Sequence, residues 1–230
     1  MKYIFGLLIG LLTLSSATAQ TYEIGLIAGG VNYIGDVGAT TFINPNTLAF
    51  GGIARWNRST RHSFRGTVML TKLKADDIDS HESRRNQRGY HFENTLGEVS
   101  LGIEYTFWDF DVHSGNQISS PYLFTGINLI GYHSLYKNSN DVITSTGNSV
   151  NLVIPMVIGY KATLGRHAMI GAEIGARYTF TDNLDGSNPK NQDANAGIHA
   201  FGNINNNDWY LFTGINITFT FGRKPCYCNF

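Results

Sequence analysis

The chain has 230 residues, 15% of them charged, with a formal net charge of zero, 26 glycines and an aromatic content of 13%. So neutral a chain offers no bulk attraction to nucleic acid or to an anionic lipid surface. No segment beyond the N-terminus holds the ~20 continuous apolar residues of a membrane helix, so a membrane-spanning version must be a barrel.

Met1-Lys2 gives a short positive start, residues 4–14 an apolar stretch, and Ala17-Thr18-Ala19 a small-residue cleavage signal before Gln20. This is the pattern of a secretory signal peptide over residues 1–19. Residues 20–222 then read as one barrel and 223–230 as a short tail.

Eight segments alternate with period two, the signature of strands with different surroundings on their two faces. Residues 22–33 set Ile24, Leu26 and Ala28 against Glu23, Gly25 and Ile27, the least clean of the set. Residues 48–57 set Leu48, Phe50, Ala54 and Trp56 against Gly51, Arg55 and Asn57. Residues 62–73 set Phe64, Val68 and Leu70 against Arg65, Thr67 and Thr71. Residues 94–107 set Val99, Leu101, Ile103 and Tyr105 against Glu98, Ser100 and Glu104. Residues 122–135 are apolar on both faces. Residues 150–164 set Leu152, Ile154, Met156 and Ile158 against Asn151, Gly159 and Lys161, with a bulge or irregularity expected at Pro155, which lacks a ladder donor. Residues 167–180 set Ile170, Ala172 and Ile174 against Met169, Glu173 and Arg177. The last, 209–221, sets Leu211, Thr213, Ile215, Ile217, Phe219 and Phe221 against Phe212, Gly214, Asn216, Thr218 and Thr220. Its length suits a tilted strand crossing a bilayer.

The connections run long (34–47), short (58–61), long (74–93), medium (109–120), long (136–149), short (165–166) and long (181–208). That rhythm is an eight-stranded antiparallel transmembrane β-barrel of the outer-membrane type, with extracellular loops, periplasmic turns and both termini in the periplasm. Arg55, Arg65, Glu98, Glu104, Lys161, Glu173 and Arg177 all fall on the mixed face, so they form an expected lumenal network of structural charges. An Arg or Lys on the lipid face at mid-membrane costs about 2–4 kcal/mol, and an eight-stranded lumen is just wide enough for side chains to fill. Tyr33, Trp56, Tyr105, Phe107, Tyr122, Tyr178, Phe180, Trp209, Phe219 and Phe221 are expected in the two interfacial girdles.

Chemistry is sparse. The seven His are scattered, and no Gly-x-Ser-x-Gly or His-Glu-x-x-His occurs. His133 and Ser134, as strand neighbours, point to opposite faces. The oxygen-rich run 182–189 lacks the spacing of an EF-hand and reads as Asx turns. The mixed charges of 74–93, among them Asp76, Asp77, Arg85 and Arg88, read first as a solvated loop. No catalytic residue, metal site or cofactor is expected. Cys226 and Cys228, in the tail, are poorly spaced to bridge each other. In an oxidising compartment they point to an intermolecular disulfide or to spectator thiols.

Asn32-Tyr-Ile-Gly-Asp-Val-Gly38, Asn44-Pro-Asn46, Arg55-Trp-Asn-Arg58, Ala176-Arg-Tyr-Thr-Phe-Thr-Asp182, Leu184-Asp-Gly186, Asn207-Asp-Trp-Tyr210 and Phe219-Thr-Phe-Gly-Arg-Lys-Pro-Cys-Tyr-Cys228 together resemble the PorG-like outer-membrane barrels of the Bacteroidetes type IX secretion system. The resemblance covers nearly the whole chain after residue 19. It implies a non-enzymatic component that docks a periplasmic ring, built from a lipoprotein and its partner subunit, against outer-membrane lipid. Arg223, Lys224, Cys226, Tyr227 and Cys228 are the expected docking residues, with a mixed disulfide to a ring subunit as the accompanying hypothesis. The rival expectation is an independent surface barrel, an adhesin or ligand binder acting through its long loops.

Overall fold

The computed structural model describes residues 21–112, 114, 116–137, 143–189, 200–203 and 205–222. Eight strands pair antiparallel in chain order: β1 (Thr21–Ile34), β2 (Thr47–Asn57), β3 (His62–Asp76), β4 (His91–Thr106), β5 (Ser119–Lys137), β6 (Ile143–Thr163), β7 (Ala168–Thr179) and β8 (Trp209–Phe221). The sheet closes as β8 pairs with β1, from Tyr22 opposite Phe221 to Ile34 opposite Trp209. Closure leaves no strand edge, which is what a sheet in hydrocarbon requires. The expected signal peptide 1–19 and tail 223–230 lie outside the described residues.

Alternation carries through. Leu26, Leu48, Leu101 and Val150 on the outer face are each at least two-thirds exposed, whereas Ile27, Ile53, Glu98 and Val153 on the inner face are buried. Apolar residues outside and charges inside invert a soluble barrel and give the polarity of an outer-membrane barrel. At the end that holds the short turns, the outer face is ringed by Tyr22, Trp56, Phe64, Tyr105 and Phe221, with Tyr22 stacked on Phe221 and Trp56 tilted against Phe64. At the loop end the apolar face of β3 stops at Leu70, and Lys72 pairs with Glu93 of β4 in the open, at 2.5 Å. Tyr178, Phe180 and Trp209 stack edge to face at that boundary. Two of the expected girdle residues belong elsewhere: Tyr33 and Tyr122 are buried in the lumen, because both fall on the inward phase of their strands.

Two connections are shorter than their composition implies. β5 and β6, 19 and 21 residues long, rise well past the bilayer and enclose only 138–142 between them. β3 and β4 likewise extend to Asp76 and back to His91. Between them lie a 3₁₀ turn (Asp77–Asp79) and α1 (Ser83–Arg88), which ends on Gly89 in the left-handed conformation (φ 59°). Pro155 interrupts the ladder to β5 between the Thr125–Met156 and Asn128–Val153 pairs without shifting the register. The bulge sits higher, where Ser134 faces Gly147 and Leu135 faces Ser145.

Candidate functional site

The lumen is filled in two layers. Toward the turn end lie four carboxylates (Glu23, Glu98, Glu104, Glu173) and four cations (Arg55, Arg65, Lys161, Arg177), each 4% exposed or less. Glu104 is the hub. Its Oε2 accepts from Arg55 Nε at 2.9 Å and its Oε1 from Lys161 Nζ at 2.8 Å, with Arg65 Nη1 at 3.6 Å. Arg65 grips Glu173 with two parallel bonds of 2.8 Å, the bidentate geometry that fixes orientation as well as charge. Arg55 also reaches Glu23 at 3.1 Å, and Arg177 reaches Glu98 at 3.3 Å. Neutral side chains take the remaining lone pairs: Tyr122 Oη donates to Glu173 (2.6 Å), Tyr210 Oη to Glu98 (2.5 Å) and Thr218 Oγ1 to Glu23 (2.8 Å).

All seven charges expected in the lumen are therefore brought together, and Glu23 joins them as an eighth. The alternation of its strand pointed inward, but too weakly to commit it. Tyr122, Tyr210 and Thr218 were not singled out as members, since a tyrosine or threonine is read equally well on either face.

Toward the loop end the lumen becomes apolar. Val31, Leu73, Phe92, Leu96, Ile130, Tyr210 and Phe212 pack into one buried cluster, and Leu184 from the loop after β7 is driven into it with no exposed surface. The neighbours of Leu184 hold it there. Asn94 Nδ2 donates to the Leu184 carbonyl (2.8 Å), Tyr90 Oη to the Asp185 carbonyl (2.7 Å), and the Leu184 N–H to Asp208 Oδ2 (2.9 Å).

The Asx turn expected in this run is present, with Ser187 N–H on Asp185 Oδ1 at 2.8 Å, but it is buried instead of solvated. Tyr33 Oη lies between Asp185 Oδ2 and Asp208 Oδ1. One hydroxyl proton cannot serve two carboxylates, so one of the acids carries a proton. Burial, and then the Asp185 charge, push the Asp208 carboxyl well above the usual range, and burial pushes Asp185 up as well.

The second long connection is also built rather than solvated. Asp77 accepts from the Gly38 N–H, the Tyr90 N–H and the Arg88 guanidinium. Burial pushes its carboxyl up, but the Arg88 bonds and the two backbone bonds outweigh this and hold it below the ordinary value. Arg85 donates to the Gly35 and Gly38 carbonyls (both 3.0 Å) and Arg88 to the Asp36 carbonyl (2.7 Å). The charges of this loop thus staple it to the first loop.

At the turn end, Phe110, Val112 and Met169 close the barrel from below, and Lys161 Nζ lies 4.8 Å from the Phe110 ring centroid. The turn surface presents Arg61 paired with Asp109 at 2.7 Å, and the exposed Phe107 and Trp108. The expected docking residues Arg223, Lys224, Cys226, Tyr227 and Cys228 lie outside the described residues. Among the described residues no three His, Cys, Asp or Glu side chains gather to hold a metal. The His133 N–H donates to Asn94 Oδ1 at 3.1 Å while the Ser134 hydroxyl accepts from Asn183 at 3.2 Å.

A family model described as a domain of unknown function, DUF6089, matches residues 2–230, and the chain belongs to that family. No curated protein matches it. Among solved structures it is similar to Ail, the attachment invasion locus protein of Yersinia pestis, at 10% identity and a TM-score of 0.48, covering 88% of this chain and 99% of that one. The N-terminal β-barrel domain of Pseudomonas aeruginosa OprF is similar at 13% identity and a TM-score of 0.46, covering 89% and 98%. Neisserial surface protein A is similar at 11% identity and a TM-score of 0.46, covering 88% and 96%.

Proposed function

We propose that this DUF6089 barrel is a non-enzymatic outer-membrane anchor of the type IX protein secretion system, exported by its signal peptide and holding a periplasmic ring to the membrane. The observation that carries the reading is the filled lumen: among the described residues, eight ion-paired side chains, a plug at Leu184 and a floor at Phe110 leave no conduit. A barrel of this size with this interior serves through its surfaces. Its wall meets lipid, so what remains for partners is the turn face with the tail beyond it, and the loop face. The turn face, with Arg58, Arg61, Phe107 and Trp108, together with Arg223, Lys224, Cys226, Tyr227 and Cys228, is assigned the docking role, and one of the two cysteines a mixed disulfide with a ring subunit.

The test is a mild-detergent pull-down of tagged protein, with and without reductant, read by mass spectrometry. Recovery of the ring lipoprotein and its partner, with an adduct that reductant removes, supports both the anchor and the disulfide. Recovery without an adduct retains the anchor and discards the disulfide. A monomer free of secretion components refutes the anchor and leaves the independent surface barrel, which the interlocked, pre-formed loop end favours.

A further inference from the structure

A cavity of about 490 Å³ opens at the loop end, between the first loop and the residues leading into β8. It is within the size range of small-molecule sites, which combine apolar walls with a few placed polar groups. Trp209, Tyr178 and Phe42 supply aromatic surface, and Asn205, Asn206 and Asn207 supply side-chain amides. Its frame is fixed without a ligand. The Asn203 N–H bonds Asp36 Oδ2 (2.6 Å), Asn207 Nδ2 donates to Tyr178 Oη (2.6 Å), and Arg85 is bound to the first loop as described. A site whose walls are already ordered loses little entropy on binding.

We infer that this cavity binds a saccharide that carries no acidic group. Sugar hydroxyls both donate and accept, and side-chain amides are the groups that answer both ways. The flat C–H faces of a pyranose rest on aromatic rings. Charge sets the class further: among the described residues the Asp36 and Asp182 carboxylates line the cavity, and the Arg85 guanidinium beside them already donates to two carbonyls and pairs with Glu82 at 3.3 Å. Burial, and then the Asp36 charge, push the Asp182 carboxyl up to about 6. Uronic, phosphorylated and sulfated sugars meet repulsion there. Because Trp209 and Tyr178 belong to the loop-end girdle, the sugar arrives at the membrane surface, either as a soluble glycan or on a lipid of the outer leaflet.

The full chain, purified without glycoside detergents and placed in nanodiscs, is titrated calorimetrically with maltose, mannobiose and N,N′-diacetylchitobiose, and with digalacturonate and spermidine as controls. Binding of at least one non-acidic disaccharide is expected, weakened at least tenfold by Asn206→Ala and by Asp182→Asn in protein that keeps the gel mobility of the folded barrel. No binding by any of the three up to ~10 mM, about −2.7 kcal/mol, overturns the inference. So does tighter binding of digalacturonate or spermidine, or unchanged affinity in both folded variants. The same disaccharide carried on an alkyl chain in the nanodisc separates the sources: a tenfold gain over the free sugar assigns a lipid-borne glycan, and equal affinity a soluble one.

Discussion

Replacing Glu104 by Gln tests whether the lumen is held by charge balance. Glu104 is fully buried between Arg55 and Lys161, with Arg65 a little farther off. Neutralising it leaves Arg55 with Glu23 and Arg65 with Glu173, but strands Lys161, only 3% exposed, against ring faces. Those rings, Phe110 at 4.8 Å and Tyr122 at 5.7 Å, are already in contact in the parent, so they add nothing on mutation. Removing one partner of a buried pair costs about 3–5 kcal/mol, and that is the loss expected for Glu104→Gln. Adding Lys161→Met removes the stranded charge and restores neutrality, so the double variant should lie within about 2 kcal/mol of the parent, a coupling at the upper end of the ~0.5–3 kcal/mol seen for contacting residues. The exposed Arg61–Asp109 pair is the internal control: Asp109→Asn should leave the unfolding midpoint close to that of the parent, because solvent screens an exposed pair. Urea unfolding from lipid vesicles, followed by tryptophan fluorescence and by the gel shift of the folded form, measures the parent and four variants, Lys161→Met alone among them. A Glu104→Gln loss below ~1 kcal/mol, or a double variant no better than the sum of its singles, refutes the reasoning.

Gly159 is the position over which the Tyr122 ring lies on its way to Glu173; a Cβ there would stand 2.4 Å from Tyr122 Cζ. Gly159→Ala should therefore destabilise the barrel by about 1–3 kcal/mol in the same urea assay, as overpacking does. Leu184→Ala should cost about 2–5 kcal/mol by leaving a cavity in the plug, seen as earlier protease cleavage within 181–189 while the strands stay protected. In planar bilayers the parent protein should show no steady conductance. Asp182, raised to about 6 from 3.8, holds a proton in the folded state that the unfolded chain releases earlier. Stability should thus fall as pH rises from about 4 through 6, and the apparent Tm of Asp182→Asn should fall less across that window than that of the parent.

The strands were legible because lipid on one side and a packed lumen on the other impose a two-residue period, and the charges betray which side is which. That signal fades wherever both faces meet water. It is why 136–137 and 143–149, read as loop, belong to the upper ends of β5 and β6: strand residues above the membrane need not alternate. Asp77, Arg85 and Arg88 look like surface residues because composition records their charge and not their partners, which come from residues 35–38, at separations of 39, 50 and 52 positions in the chain. Leu184 was hidden for the same reason, a lone apolar residue among turn formers whose burial depends on a socket to which β1, β3, β4, β5 and β8 contribute. The cavity at Asn205–Asn207 had no local signature, since its walls come from four separated segments.

The ion pairs of the lumen reach across it more often than along the sheet: Arg65 of β3 to Glu173 of β7, Arg55 of β2 to Glu104 of β4, Lys161 of β6 to Glu104, and Arg177 of β7 to Glu98 of β4. Divided at its midpoint, the chain places three of the lumenal carboxylates and two guanidinium groups on β1–β4, and one carboxylate with two cations on β5–β8. The two halves are thus oppositely charged and each is unbalanced alone. A nascent sheet that has not yet curled shut holds those charges apart, because the pairs that join the halves cross the lumen and form only as the sheet closes. Charge pairing in this molecule is a property of completed assembly, and two separately expressed halves should find each other where either one by itself does not insert.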